Sequence, residues 1–211
     1  MGRTRRGIGD HLRVNAALYI FVTIVLAMGV VFGALAVRTL DEYQQEQLID
    51  YFQLFLRGLS TGVDEIEPAV VLRAALMNHL RTVGLVWLLG LTVIGVAGVV
   101  LVIVVRGFVI GFTVGFLAQG LGLKGVLFAI AAVLPQNLLA IPAFLVISAA
   151  SLGFSWLLVK SRLRRQRFRW LQEFAGYSLL VMAASLVLAL AAVIEAYIAP
   201  VFMQMVNGLM Q

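Results

Sequence analysis

The sequence predicts an all-α polytopic membrane protein, a transmembrane helix bundle of five spans with an amphipathic segment outside the membrane. Hydrophobic residues make up 62% of the 211 residues and charged residues only 12%, a balance typical of membrane proteins. Several apolar runs reach the ~20 residues that a helix needs to cross a bilayer. Basic residues cluster beside these runs instead of covering a soluble face, so we expect no nucleic-acid partner.

The apolar runs divide the chain into predicted segments. These are a basic arm (1–17), span one (18–37), an extracytoplasmic segment (38–82), span two (83–105), span three (107–123), span four (125–159), a basic loop (160–169), span five (174–199) and a tail (200–211). The fourth run has 35 residues, about 52 Å as one straight helix, so we expect it to kink or to fold back.

Two basic clusters predict the topology. Of the sixteen Lys and Arg residues, four lie in the arm 1–17 and six lie between Lys160 and Arg169. Because basic loops stay in the cytoplasm, both clusters are expected to face the cell interior, with four spans between them and the C-terminus outside. Trp156 and Trp170 then suit the inner membrane interface, and Trp87 suits the outer one.

The extracytoplasmic segment 38–82 carries seven of the ten acidic residues of the chain. Apolar residues recur there at steps of three and four, which predicts an amphipathic helix, and a second helix is predicted after a turn at 60–68. These helices either pack on the outer face of the bundle or offer a docking surface to a protein partner. The candidate docking residues are Leu48, Tyr51, Phe52 and Phe55.

Two rows of glycine predict close helix packing. Gly107, Gly111 and Gly115 recur every fourth residue on one helix face, and Gly29 and Gly33 form a second such pair. Small residues let helix backbones approach closely in lipid, either within one chain or between copies in a homo-oligomer. The first row continues to Gln119, a candidate for a hydrogen bond between helices.

The stretch "LPQNLLAIPA" places prolines and amides inside the longest apolar run. Pro135 and Pro142 cannot donate to the carbonyls of residues 131 and 138, and unpaired carbonyls are costly in hydrocarbon. Gln136 and Asn137 are the candidate donors. A structural break and a transport site are both compatible with this pattern, but no charged residue is expected at mid-membrane depth to bind an ion.

Glu195 is the one acidic residue of the predicted fifth span. A rise of 1.5 Å per residue places it roughly 31 Å beyond Phe174, near the outer end of that span. It is either an interfacial acid or a partner that fixes this helix to the segment 38–82 through an ion pair or a hydrogen bond.

The chemical groups of common enzyme sites are missing. The chain has no cysteine, and its two histidines, His11 and His79, lie outside the apolar runs without the spacing of metal ligands. No histidine or lysine falls in a predicted span to activate a serine, and no two acids form a dyad. We therefore predict a protein that is not an enzyme, with no catalytic residue, no metal and no cofactor.

Four pieces of the chain, in order, resemble the stage II sporulation protein M family. They are "MGVVFGALAV" at 28–37, "RGFVIGFTVGFLAQGLGLKG" at 106–125, "LPQNLLAIPAF" at 134–144 and "EAYIAP" at 195–200. The second and third pieces in tandem carry most of the specificity. The resemblance covers nearly the whole chain and implies a multi-pass protein of the mother-cell membrane.

The resemblance also implies a function in engulfment, when the mother-cell membrane migrates around the forespore. Members of the family are expected to anchor and localise stage II sporulation proteins D and P, which cut peptidoglycan. The expected partners are thus these two proteins and membrane lipid. The alternative from another class is a small-molecule transporter or channel subunit, which would need a polar cavity lined by Gln119, Gln136 and Asn137.

Overall fold

The computed structural model describes residues 16–61, 67–164 and 170–210, with the side chains of all of these except 55–61, 162–164, 204 and 206–210. All regular structure in this part of the chain is helical. The helices are α1 (Ala16–Ala36) with a following 3-10 turn (Val37–Thr39), α2 (Glu42–Thr61), α3 (Pro68–Gly90), α4 and α5 (95–121 and 123–164, the two arms of the segment Gly95–Arg164), α6 (Trp170–Val193) with a following π-helical turn (Ile194–Ile198), and α7 (Ala199–Met210).

Gly122 folds the segment Gly95–Arg164 into a hairpin. Its φ of 57° and ψ of −135° leave the helical region, and glycine tolerates a positive φ because it has no Cβ. Beside the turn, Leu117 of α4 packs with Phe128 of α5. At the other end of the arms, the Ser155 hydroxyl donates to the carbonyl just before α4, that of Thr92, at 2.7 Å. The arms α4 and α5 therefore lie antiparallel and side by side.

The run 125–159 does not fold back, in contrast to one of the two expectations for it. The backbone stays helical at Pro135 and Pro142, and the chain reverses at Gly122, before the run begins. Proline removes one N–H group but keeps a φ that a helix accepts, whereas the left-handed φ of Gly122 cannot continue a helix. The run is one continuous part of α5.

Within the described part of the chain, four helices are long and apolar enough to cross a membrane. They are Ala16–Thr39, Pro68–Gly90, Gly95–Ser161 and Trp170–Met203. The third of these contains the hairpin. The amphipathic helix α2 is not among them, in agreement with the predicted extramembrane helix. The protein is thus an all-helical membrane protein.

The expected second span, 83–105, is not one helix, because a turn at residues 91–94 interrupts it. The hydroxyl and the N–H of Thr92 both donate to the carbonyl of Leu89 at 2.9 Å, which closes the end of α3. Gly95 then starts α4 so close to α3 that a Cβ there would collide with the same carbonyl. The candidate span is α3, which begins fifteen residues earlier than expected.

Because α3 ends at Gly90, Trp87 lies near the end of its helix, whereas the expected span 83–105 has it near the start. Its indole N–H donates to the Ser178 hydroxyl at 3.2 Å, and its ring lies 6.1 Å from that of Phe174. The ring of Phe174 in turn lies 6.0 Å from that of Trp170. All three tryptophans of the chain therefore gather at the 91–94 end of the bundle.

A chain of hydrogen bonds joins three helices beside this aromatic group. The Tyr177 hydroxyl donates to the backbone carbonyl of Trp87 at 3.0 Å and lies 2.8 Å from the Ser151 hydroxyl. Since its single proton goes to the carbonyl, Ser151 is the donor of the second bond. Buried polar groups that are all paired in this way fix the relative position of α3, α5 and α6.

The two glycine rows pack against each other within the chain. A Cβ on Gly29 would lie 2.5 Å from the carbonyl oxygen of Val104 and 3.2 Å from the Cα of Gly107. On the facing row, a Cβ on Gly111 would collide with the Val30 carbonyl, and one on Gly115 would lie 2.9 Å from the Cα of Ala34. The helices α1 and α4 thus meet backbone to backbone, and these faces are occupied without a second copy of the chain.

Candidate functional site

The helix α2 begins with a reciprocal pair of hydrogen bonds. The Asp41 carboxylate accepts a bond from the backbone N–H of Gln44 at 2.7 Å, and the Gln44 side chain accepts one from the backbone N–H of Asp41 at 3.3 Å. This is a capping box, in which an acid at the N-cap and a glutamine three residues later satisfy each other's backbone N–H groups. It fixes the first turn of α2 where the chain leaves α1.

One face of α2 packs on the tip of the hairpin. The ring of Phe52 meets that of Phe128 edge-on, with centroids 5.1 Å apart, and Ile49 lies beside Gly120. Such an aromatic pair contributes about 0.5–1.5 kcal/mol beyond the burial of its area. Leu48 is half-buried on the same helix. Phe52, expected among the docking residues, is therefore used within the chain.

The opposite face of α2 carries exposed aromatic and aliphatic side chains. Tyr43 is 68% exposed, Tyr51 72% and Leu54 63%. Spacings of eight and three residues place them on one side of a helix, and the exposed acid Asp50 lies among them. We call Tyr43, Tyr51 and Leu54 the outer face of α2. Of the expected docking residues only Tyr51 belongs to it, and the side chain of Phe55 lies outside the described residues.

A second polar feature joins α3 to the end of α6. Nε2 of His79 lies 3.7 Å from a carboxylate oxygen of Glu195, beyond hydrogen-bond distance but within the range of an ion pair if the imidazole is protonated. His79 is 6% exposed, and eleven residues of α3 lie on either side of it. Glu195 thus lies beside a residue of the segment 38–82, and an ion pair between the two, one of the interpretations of its sequence position, stays a prediction.

Arg106 of α4 lies within electrostatic range of the same carboxylate. It is half-buried and carries a permanent positive charge, so Glu195 has a cationic neighbour on the hairpin as well as His79 on α3. Glu195 itself sits in the π-helical turn Ile194–Ile198. A π-turn adds a residue to the helical turn and shifts the side chains that follow, and such turns often occur at functional sites. We call His79, Arg106 and Glu195 the charged cluster.

Sequence reasoning missed two members of the charged cluster. His79 was placed outside the apolar runs, and Arg106 was read as the end of a span, because the second span was set too far along the chain. The expectation that no charged residue lies at mid-membrane depth concerns Arg106 most directly, since Arg106 lies inside the candidate span Gly95–Ser161. The available signal was the single charge that interrupts 83–123, an otherwise uncharged stretch.

The amide of Asn137 does not pair with the carbonyls that the prolines of α5 leave free. The Asn137 amide donates to the carbonyl of Val133 at 2.7 Å, one turn back, and not to the carbonyls that Pro135 and Pro142 leave free. Asn137 also lines an apolar pocket of about 480 Å³ between the hairpin arms, together with Pro142. Gln136, half-buried, does not line this pocket.

A polar cavity shared by the three amides is also not formed. Gln119 is exposed one turn beyond Gly115 and does not line the pocket that contains Asn137. The pocket itself is walled by aliphatic side chains such as Val114 and Ile130. Gln119 and Gln136 therefore do not share this pocket with Asn137. Instead, Gln119 lies near the hairpin tip.

Comparison with known proteins gives one family. Neither the curated proteins nor the solved structures include a match to this chain. The family of stage II sporulation protein M matches residues 22–200, which include most of α1, the hairpin, the charged cluster and α2. The match covers most of the chain, and the protein belongs to the stage II sporulation protein M family, a sporulation-related family of membrane proteins.

Proposed function

We propose that the chain crosses the membrane five times, with its N-terminus in the cytoplasm and its C-terminus outside. The arm α4 has 27 residues, about 40 Å, and α5 is longer, so each arm of the hairpin suffices for a crossing. Four crossings by α1, α3, α4 and α5 then return the chain to the side where it began. Because the number of crossings between the two basic clusters is even, both clusters lie on the cytoplasmic side, as the positive-inside rule requires.

In this orientation α2 and the hairpin tip lie outside the cytoplasm, on the side of the cell wall. The three tryptophans at the 91–94 end then lie at the inner membrane interface, where tryptophan is enriched. The exposed acids of α2, among them Asp41, Glu46 and Asp50, stand on the outer side, where the basic clusters are absent.

The protein acts as a non-enzymatic scaffold of the mother-cell membrane that anchors and localises stage II sporulation proteins D and P during forespore engulfment. The observation that carries this proposal is that α2 is seated by Phe52 on the hairpin tip while Tyr43, Tyr51 and Leu54 point away from it. Tyrosine is enriched at protein–protein interfaces and among the residues that contribute most to binding. The sporulation context of this proposal comes from the family to which the chain belongs.

A scaffold requires that its contact surface be held rigidly, and two features of the chain do this. The capping box of Asp41 and Gln44 fixes the start of α2, and the Phe52–Phe128 pair fixes its middle. The approach of Glu195 to His79 brings the end of α6 to α3, which follows α2, and Arg106 of the hairpin lies within electrostatic range of the same carboxylate. The outer face is thereby tied to the whole bundle instead of to a free loop.

The variant Tyr43→Ser, Tyr51→Ser, Leu54→Ser tests the proposal. Because it removes only the outer face, the protein should accumulate normally, and its recovery of proteins D and P from sporulating cells should fall about tenfold or more. The measurement is a pull-down on tagged full-length protein, normalised to its amount in the membrane.

Leu171→Ser is the matched control for this experiment. Leu171 is 82% exposed at the start of α6, at the other end of the bundle, and its loss should leave recovery unchanged. Undiminished recovery by the triple variant would contradict docking through the outer face of α2.

A further inference from the structure

A second pocket lies at the 91–94 end of the bundle, away from α2 and from the charged cluster. It has a volume of about 540 Å³ and lies among α1, α5 and α6, with walls that include Tyr19, Gly153, Leu157 and Leu180. This volume falls within the range of small-molecule sites. The apolar part of the wall is rich in small residues, and a Cβ on Gly176 would meet no atom within 4 Å. The pocket thus has room for a flexible hydrocarbon chain.

The same pocket carries two opposite charges. Lys160, near the end of α5, and Glu173, in the first turn of α6, both line it and both are exposed. Neither forms an ion pair within the described part of the chain. A ligand that carries one negative and one positive group would satisfy both side chains at once, which a singly charged ligand cannot do.

The position of the pocket indicates which kind of ligand with one negative and one positive group it binds. Trp156 also lines it and is 62% exposed, and the tryptophans at this end mark a membrane interface. A groove for hydrocarbon with a pair of charges at an interface matches the shape of a phospholipid, with its acyl chains in the membrane and its headgroup at the surface.

We propose that this pocket is a binding site for a zwitterionic phospholipid with a primary ammonium group, such as phosphatidylethanolamine. Lys160 binds the phosphate, and Glu173 accepts hydrogen bonds from the ammonium. A quaternary ammonium has no N–H to donate, and a glycerol headgroup has no positive charge, so phosphatidylcholine and phosphatidylglycerol each satisfy only part of the site. The site is independent of the proposed docking function and requires only that the chain lies in a membrane.

Native mass spectrometry of the full-length protein with matched acyl chains tests this site. Phosphatidylethanolamine should be retained about fivefold more than phosphatidylcholine or phosphatidylglycerol, a ratio in keeping with partly exposed charge pairs. Glu173→Gln should abolish the preference for phosphatidylethanolamine over phosphatidylcholine. Lys160→Gln should weaken the retention of all three lipids.

Gly176→Leu separates the pocket from general attraction to charged lipid. It leaves Lys160 and Glu173 in place, suits a helix better than glycine does, and fills the groove, so lipid retention should fall. The control is Leu186→Phe on the exposed side of α6, which should change nothing. Equal retention of the three lipids, or an unchanged preference in Glu173→Gln, would overturn the proposal and leave only a surrounding shell of lipid.

Discussion

Gly33→Val is expected to lower the free energy of unfolding by about 3 kcal/mol or more and to reduce the amount of folded protein in the membrane. A Cβ at position 33 would collide with the carbonyl of Phe108 and lie 2.8 Å from the N–H nitrogen of Phe112. These are backbone atoms of α4, so no side chain can rotate to make room and α1 must move away. The measurement is thermal or denaturant unfolding of the purified protein in detergent.

Gly84→Val provides the matched control, because it makes the same substitution in another candidate span. A Cβ on Gly84 meets no atom within 4 Å, so valine there should not destabilise the protein. Valine even has the better helix propensity of the two residues. If Gly33→Val and Gly84→Val unfold alike, the close packing of α1 on α4 is not what holds these helices together.

Glu195→Leu is expected to have the second-largest effect on stability. It removes the carboxylate that lies 3.7 Å from Nε2 of His79 and within electrostatic range of Arg106, which is then left half-buried without this anionic neighbour. Removing one partner of a fully buried pair costs about 3–5 kcal/mol, and the 33% exposure of the Glu195 side chain reduces the expected loss to about 2 kcal/mol. Unfolding in detergent measures it.

A double-mutant cycle with His79→Leu tests whether the two residues interact. The double variant should be more stable than the sum of the two single losses predicts, by about 0.5–1 kcal/mol, since leucine at both positions leaves no unpaired group between α3 and α6. Glu195→Gln, which keeps the size of the side chain, should lose less than Glu195→Leu. Strict additivity of the two leucine variants would show that the 3.7 Å approach contributes nothing to stability.

The predicted features that the structure retained depend on local or strongly periodic signals. The amphipathic pattern of α2 defines one face of a helix, and so does the four-residue spacing of the glycines. Both faces are present in the fold. The family is also confirmed, by the match of its model over residues 22–200. These signals do not need the position of any neighbouring helix.

The second span was misplaced because hydrophobicity alone favours 83–105 over α3. The helix α3 contains Arg73, His79 and Arg81 and is the least apolar of the four candidate spans. The turn at 91–94 is made of apolar and β-branched residues, with Gly90 and Gly95 as its only breakers. The carboxylate that approaches His79, that of Glu195, lies more than a hundred residues away in the sequence, and no local pattern reports such a contact.

The position at which the chain reverses also depends on tertiary packing that no local pattern reports. Pro135 and Pro142 were the strongest breakers in the long apolar run, yet the helix passes through both, and Gly122 makes the turn. A proline inside a helix is tolerated when the surrounding packing holds the helix straight, as it is here for α5 between α4 and α6. Among several glycines near the tip, only the tertiary fold selects the one with a positive φ.

Thiol labelling of intact cells tests the orientation of the chain, on which docking at the cell wall depends. The protein has no cysteine, so Asp50→Cys and Arg165→Cys each carry a single thiol for a reagent that does not cross the membrane. The proposed topology predicts labelling at position 50, in α2, and none at position 165 until the cells are opened. Labelling at 165 with protection at 50 would place α2 in the cytoplasm and contradict the scaffold proposed for the outer side.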